Sequence, residues 1–149
     1  MDKIEIRFSF KKEAGYIAKL SQLFALENSC NGIVADNKEF FENKNIVVAV
    51  SNNKIIGYCY GEIEVEEKTR SYAEKNDKYF DLEEIYILPQ YRKLGVGQKL
   101  FNFIENFAKE NNCKTLRLNA VSKDYNKLLS FYIDKLKMVF WSAYLIKKI

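Results

Sequence analysis

The stretch Asp81-Leu82-Glu83-Glu84-Ile85-Tyr86-Ile87-Leu88-Pro89-Gln90-Tyr91-Arg92-Lys93-Leu94-Gly95-Val96-Gly97-Gln98-Lys99-Leu100 decides the fold, because it reads as a strand, a loop and the start of a helix. Leu82 to Leu88 is aliphatic and aromatic with two acids near its start, the composition of a strand. Pro89, the only proline of the chain, cannot donate to a central ladder and ends it. Beyond the loop, Val96, Leu100, Phe103, Ile104, Phe107 and Ala108 recur at helical spacing, which predicts a helix from about Gly95 to Lys109. Amides in the first turn of a helix lack intrahelical partners, and the aligned peptide dipoles leave partial positive charge there, so phosphate suits such a place. Arg92, Lys93 and Lys99 add full charges, while Gly95 and Gly97 permit positive φ and close backbone approach. The plainer alternative is a tight turn beside a solvated cationic face.

Spacing separates the phosphate-binding patterns that compete here. The P-loop needs Gly, four residues, then Gly-Lys-Ser/Thr, which Gly95 and Gly97 do not supply. The dinucleotide fingerprint fails too, with Leu100 at its third small position and no acid at the end of the next expected strand, Thr115 to Val121. Arg92-Lys93-Leu94-Gly95-Val96-Gly97 fits Arg/Gln-x-x-Gly-x-Gly/Ala at every defined position. It resembles the acyl-CoA pyrophosphate loop of the GNAT superfamily of N-acetyltransferases.

The resemblance covers residues 82 to 138. Ile85-Tyr86-Ile87-Leu88-Pro89-Gln90-Tyr91-Arg92 is similar to the hydrophobic-x-Val-x-Pro-x-Tyr-Arg run of that family. Asn126-Lys127-Leu128-Leu129-Ser130-Phe131-Tyr132 is similar to its Asn-x-x-Ala-x-x-Phe-Tyr helix, with Leu129 in place of alanine. Lys137 stands where the family usually has glycine, which puts the turn after the last helix in question. The resemblance implies an α/β fold, a central mixed sheet with helices on both faces and a splayed pair of parallel strands with pantetheine in the gap. It implies acetyl-CoA as acyl donor and cosubstrate, no metal, and direct transfer of the acetyl group to a primary amine. The residues it assigns to the donor are Ile85, Tyr86, Ile87, Arg92, Lys93, Leu94, Gly95, Val96, Gly97, Gln98, Lys99, Asn126 and Tyr132.

Composition bounds the alternatives. With 149 residues, 48% of them hydrophobic, the chain fits a single domain over residues 1–149 with a sizeable core. A formal charge of +4 spread among interspersed acids and bases gives no argument for nucleic acid. Cys30, Cys59 and Cys113 are odd in number, lack Cys-x-x-Cys spacing and have no histidine to join them, which argues against zinc and against a disulfide framework. Charges interrupt the N-terminal residues and no apolar run approaches the roughly 18 needed for a span, so the expectation is a cytoplasmic protein, monomer or homodimer, with no membrane partner. Because histidine is absent, imidazole is not the general base.

In chain order, the pattern predicts a strand at Lys3 to Ser9 and a helix between about Lys12 and Asn28 on Ile17, Leu20, Leu23, Phe24 and Glu27. Asp36 is the expected cap of a short helix, Asn37 to Glu42. Strands at Ile46 to Ser51 and Ile55 to about Glu66 flank a hairpin turn, and the polar stretch Glu66 to Lys78 reads as a solvated loop. A strand at Thr115 to Val121, a helix at Tyr125 to Leu136 and a last strand at Phe140 to Lys147 complete the expectation.

Amine acetylation sets chemical requirements. A protonated amine must lose a proton, and with no histidine the candidates are carboxylates, Glu84 ahead of Glu83, which strand alternation places on opposite faces. Both could equally solvate the strand end or bind a cationic substrate. Amides freed where the strand splays, around Tyr86 and Ile87, could meet the oxyanion. Tyr132 resembles the family's tyrosine that protonates the leaving thiolate, and on its residue context alone it is a core aromatic beside Phe131. Asn126 either bonds the CoA arm or begins its helix. Cys59 and Cys113 read as inert thiols. The competing functional class is a catalytically silent acyl-CoA-binding regulatory domain.

Overall fold

Five strands, β1 (Glu5–Phe8), β2 (Ile46–Ser51), β3 (Lys54–Val65), β4 (Lys78–Ile87) and β5 (Cys113–Leu118), lie side by side in chain order in a computed structural model that describes residues 3–149. The first four pair antiparallel, and β4 pairs parallel with β5 from Lys78↔Cys113 to Leu82↔Leu118. A parallel pair needs a crossover, and α3 (Val96–Glu110) provides it. The sheet is therefore mixed, as the sequence pattern requires.

Two cores sandwich the sheet. On one face α1 (Ala14–Glu27) and α2 (Lys38–Glu42) bury Ile17, Leu20, Phe24 and Phe41 against Val48, Tyr58, Tyr60 and Tyr86. On the other, Val96, Leu100 and Ile104 of α3 pack on Val47, Cys59, Phe80 and Leu82. The hairpin between β2 and β3 turns through Asn52 and Asn53, both at positive φ, as an asparagine pair favours. Asn37 caps α2 by accepting from the Phe40 amide at 2.9 Å; Asp36, the expected cap, lies one residue too early.

Three elements depart from expectation. β4 begins at Lys78, four residues before Leu82, because Tyr79 to Asp81 find partners in both β3 and β5. The last helix is α4 (Tyr125–Ser130), followed by a π-helical turn over Phe131–Lys135. Residues 140–147 form no strand: among the described residues the outer edge of the short β5 takes no partner, and Phe140, Tyr144, Leu145 and Ile146 stay exposed. A strand-competent composition without a ladder to join gives no strand.

The turn after Leu136 accommodates a non-glycine residue: Lys137 has φ 59°. An L-residue pays roughly 1–2 kcal/mol in that conformation, which glycine avoids. Lys137→Gly is expected to raise stability by about 1 kcal/mol, read as a higher urea midpoint at unchanged m.

Candidate active site

The register of β3 with β4 slips between Tyr60 and Gly61, so that Tyr60 faces Glu84 and Gly61 faces Leu82. Glu83 is the extra residue of a β-bulge. Leu82 and Ile85 both enter the core under α3, with two residues between them. Glu83 and Glu84 consequently share the opposite face instead of alternating, which corrects the expectation from strand period.

That shared face is acidic and aromatic. Tyr58 donates its hydroxyl to Glu84. Burial, reinforced by Asp36 and Glu83, holds the Glu84 carboxyl above the usual carboxylate range despite the opposing effect of that bond. Glu83 is raised as well, mainly by burial, with Lys44 pulling the other way and Glu62, Asp81 and Glu64 adding repulsion. Lys44 lies 2.5 Å from Glu62 and 3.8 Å from Glu83, over the rings of Phe40 and Tyr60. Proton-binding carboxylates on an aromatic floor suit transfer of a proton from a cation.

The two parallel strands part company after Leu82 and Leu118. Leu88 N reaches Ile56 O at 2.9 Å, so by strand alternation Tyr86 directs its amide to β3 while Ile85 and Ile87 direct theirs into the gap. The free donors are thus those of Ile85 and Ile87, and the Tyr86 amide belongs to the ladder. At the head of the gap, Lys93 (φ 63°) and Gly95 (φ 77°) curl the chain into α3. The first intrahelical bond runs from Lys99 N to Gly95 O at 3.1 Å, which leaves the amides of Val96, Gly97 and Gln98 without partners in the helix. This concave array of donors fits a pyrophosphate.

Arg92 plays a different part from the other cations of the loop. Its Nε donates to Ile87 O at 2.9 Å and its Nη2 meets both Glu27 oxygens at 2.7 and 2.8 Å. Tyr86 also donates to Glu27, at 2.8 Å, and stacks on Phe24. The Arg92 guanidinium therefore ties α1 to β4. Glu27, expected on the apolar stripe of α1, is its counter-ion, and no sequence signal links two residues so far apart. Gly97 is also explained by packing: a Cβ there would lie 3.2 Å from Ile87 Cδ1 and 3.3 Å from Phe131 Cζ, whereas one at Gly95 would meet nothing within 4 Å. Bulk at Gly97 disturbs the contact of α3 with β4 and Phe131 before it reaches an anion.

Phe131 brings the π-helical turn against the start of α3, and Tyr132 follows it, buried against Phe101. Burial, with Cys59 and Cys30 as neighbours, pushes the Tyr132 phenol up to about 12. It stays protonated at neutral pH and able to donate. Asn126 is exposed on the first turn of α4. Cys59 is fully buried and its thiol is raised by burial, while Cys113 lies at the opposite end of β5 from the gap. Among the described residues no group of three or more His, Cys, Asp or Glu is placed to hold a metal ion, and no helix is long and apolar enough to cross a membrane.

The family model described as the Acetyltransferase (GNAT) family matches residues 16–136. The chain belongs to this family. It is an acetyltransferase, and GNAT enzymes take their acetyl group from acetyl-CoA. Solved structures agree in fold at low identity. An aminoglycoside N-acetyltransferase in complex with CoA aligns with TM-score 0.73 and 14% identity over 100% of this chain and 96% of that one. A ribosomal-protein-alanine N-acetyltransferase from Brucella melitensis biovar Abortus 2308 aligns with TM-score 0.70 and 19% identity over 98% and 100%. An aminoglycoside acetyltransferase from an uncultured soil metagenomic sample, in complex with sisomicin, gives 0.71 and 16% over 98% and 96%. A search of curated proteins finds no match.

Proposed function

We propose that this GNAT domain transfers the acetyl group of acetyl-CoA directly to a primary amine, either a small cationic molecule or the lysine or N-terminal amine of a peptide. The observation that carries the proposal is the bulge at Glu83, which puts two carboxylates of raised pKa on one face where β4 and β5 separate. Glu84, held by Tyr58, accepts the ammonium proton. Glu83, with Glu62, Glu64 and Asp81 nearby, attracts the cation. The amides of Ile85 and Ile87 meet the negative charge that develops on the carbonyl oxygen. Tyr132 gives a proton to the departing sulfur. Lys93 to Lys99 hold the pyrophosphate, Arg92 braces that loop, and Asn126 on α4 reaches the CoA arm.

Release of CoA thiol with a panel of amines tests this reading. Acceleration over solvent hydrolysis by cationic amines supports it, and binding of acetyl-CoA without release by any amine identifies a silent acyl-CoA-binding domain. No hydrogen bond to the Tyr132 hydroxyl exists among the described residues, so removing it strips no partner from the fold. Tyr132→Phe is expected to leave stability and acetyl-CoA affinity unchanged and to lower kcat by about 10²-fold or more. Calorimetry alongside steady-state kinetics separates the two effects, and unchanged kcat would reduce Tyr132 to packing.

A further inference from the structure

The outer edge of β5 and the segment 139–149 are two parts of the molecule to which acetyl transfer gives no role. Among the described residues no strand pairs with that edge, so the outward amides and carbonyls of Cys113–Leu118 have no ladder to join. No residue of β5 is fully buried, whereas every residue of β2 is. Two polar atoms of β5, Thr115 Oγ1 and Arg117 Nε, are buried with no hydrogen-bond partner among the described residues. The segment 139–149 shows the reverse imbalance. Val139 to Ile146 carries no charged residue, and Phe140, Trp141, Tyr144, Leu145 and Ile146 are all exposed, Tyr144 by 93% and Leu145 by 89%. Alternation puts Phe140, Tyr144 and Ile146 on one side of an extended chain and Trp141 and Leu145 on the other, the pattern of a strand covered on both faces. Contacts hold its start: Met138 N donates to Tyr132 O at 3.0 Å, and the Trp141 ring meets Tyr72, which accepts from Arg117 of β5, at 4.7 Å.

We infer that residues 140–147 of one copy pair with the β5 edge of a second copy, and that the reciprocal exchange makes a two-fold dimer. Each copy brings one unpaired edge and one unpaired strand former, so a single two-fold operation satisfies both and closes the assembly. Direct pairing of two β5 edges would leave the apolar segments in water. An added strand supplies ladder hydrogen bonds from its backbone. Its side chains cover Leu116 and Leu118, the partly buried margin of the core under α3, on one face, and Thr115 and Arg117 on the other. Beyond Trp141 every residue of the segment is exposed, so it reaches a second copy without unpacking the domain. The exchanged surface is one short strand and one segment per copy, less than the roughly 20–30 residues a side of a standard interface, so the dimer dissociates on dilution. The inference does not depend on the acceptor or on the reading of the acetyl site.

Sedimentation velocity of the full chain over about a hundredfold range of concentration is expected to show a reversible dimer, of twice 17.5 kDa, that gives way to monomer on dilution. Hydrogen exchange on the same samples locates the contact. Peptides covering 113–118 and 140–147 should both be protected where the dimer dominates and lose protection together as it dissociates. Two substitutions check the ladder. Neighbouring amides of a strand point to opposite sides, so one of Ala143→Pro and Tyr144→Pro removes a donor that faces β5. That variant should dimerise at least about tenfold more weakly than the parent, and the other should be affected less. Both positions are exposed, so neither change touches the packed domain. If a variant fails to fold, the parent's sedimentation and exchange still decide the matter. A chain that stays monomeric at every concentration, an assembly larger than a dimer, protection of only one of the two peptides, or a dimer indifferent to both prolines overturns the inference.

Discussion

Glu84→Gln is expected to lower kcat/KM for a cationic amine by about 10²–10⁴-fold, the range for loss of a general base, or about 2.7–5.5 kcal/mol of barrier. Glutamine keeps the shape and an oxygen that accepts from Tyr58, so the fold and the acetyl-CoA site are preserved. The same change should stabilise the protein at neutral pH. A carboxyl whose folded pKa lies above its unfolded value holds its proton more tightly when folded. Stability is then greatest below the unfolded value near pH 4.3 and falls as pH rises through the raised folded pKa. Glutamine has no charge to bury and escapes that loss, so its melting temperature should exceed the parent's at pH 7 and converge with it in acid. The kcat/KM profile of the parent should rise with pH through the raised Glu84 pKa, and the variant should lack that limb. A variant of unchanged turnover, with the limb intact, would give the base role to another group.

Most of the frame was legible because it depends on local pattern. Pro89 ended a strand, the apolar positions from Val96 to Ala108 gave a helix, and the crossover between them forced β4 and β5 parallel. What escaped depended on pairing between distant segments. The bulge at Glu83 arises only in register with Tyr60 and Gly61, where an added Cβ at Gly61 would lie 2.1 Å from Asp81 O. Alternation alone therefore split two carboxylates that the fold keeps together. Arg92 carried the right motif, but its partner Glu27 belongs to another helix, and the motif does not tell a phosphate ligand from a brace. Gly97 likewise matched the loop pattern while its lack of a side chain is required by Ile87 and Phe131. Residues 140–147 had a strand's composition, and composition does not create an edge to pair with.

Glu66→Ala should be strongly destabilising although it lies outside the active site and outside the apolar core. The stretch it begins was expected to be a solvated loop, yet its side chain is only 2% exposed. One oxygen lies 2.6 Å from Arg117 Nη2 and the other 3.0 Å from Arg70 Nε. Arg117 in turn covers the Tyr79 ring at 3.2 Å and donates to the Tyr72 hydroxyl, which brings the loop onto β5. The Glu66 backbone is engaged as well, with its amide on Asp77 O and its carbonyl accepting from Asn76, both at 2.9 Å. Alanine keeps those backbone bonds but leaves two guanidinium groups without a counter-charge beside a buried void. Removing one member of a buried ion network costs about 3–5 kcal/mol, and since Arg70 and Arg117 both reach solvent the lower end is expected, about 3 kcal/mol. Glu66→Gln, which can still accept from one arginine, should fall between alanine and the parent. Urea unfolding at constant m gives the ranking. A loss under about 1 kcal/mol for Glu66→Ala would show an ordinary surface pair and a loop attached to the sheet by its backbone alone.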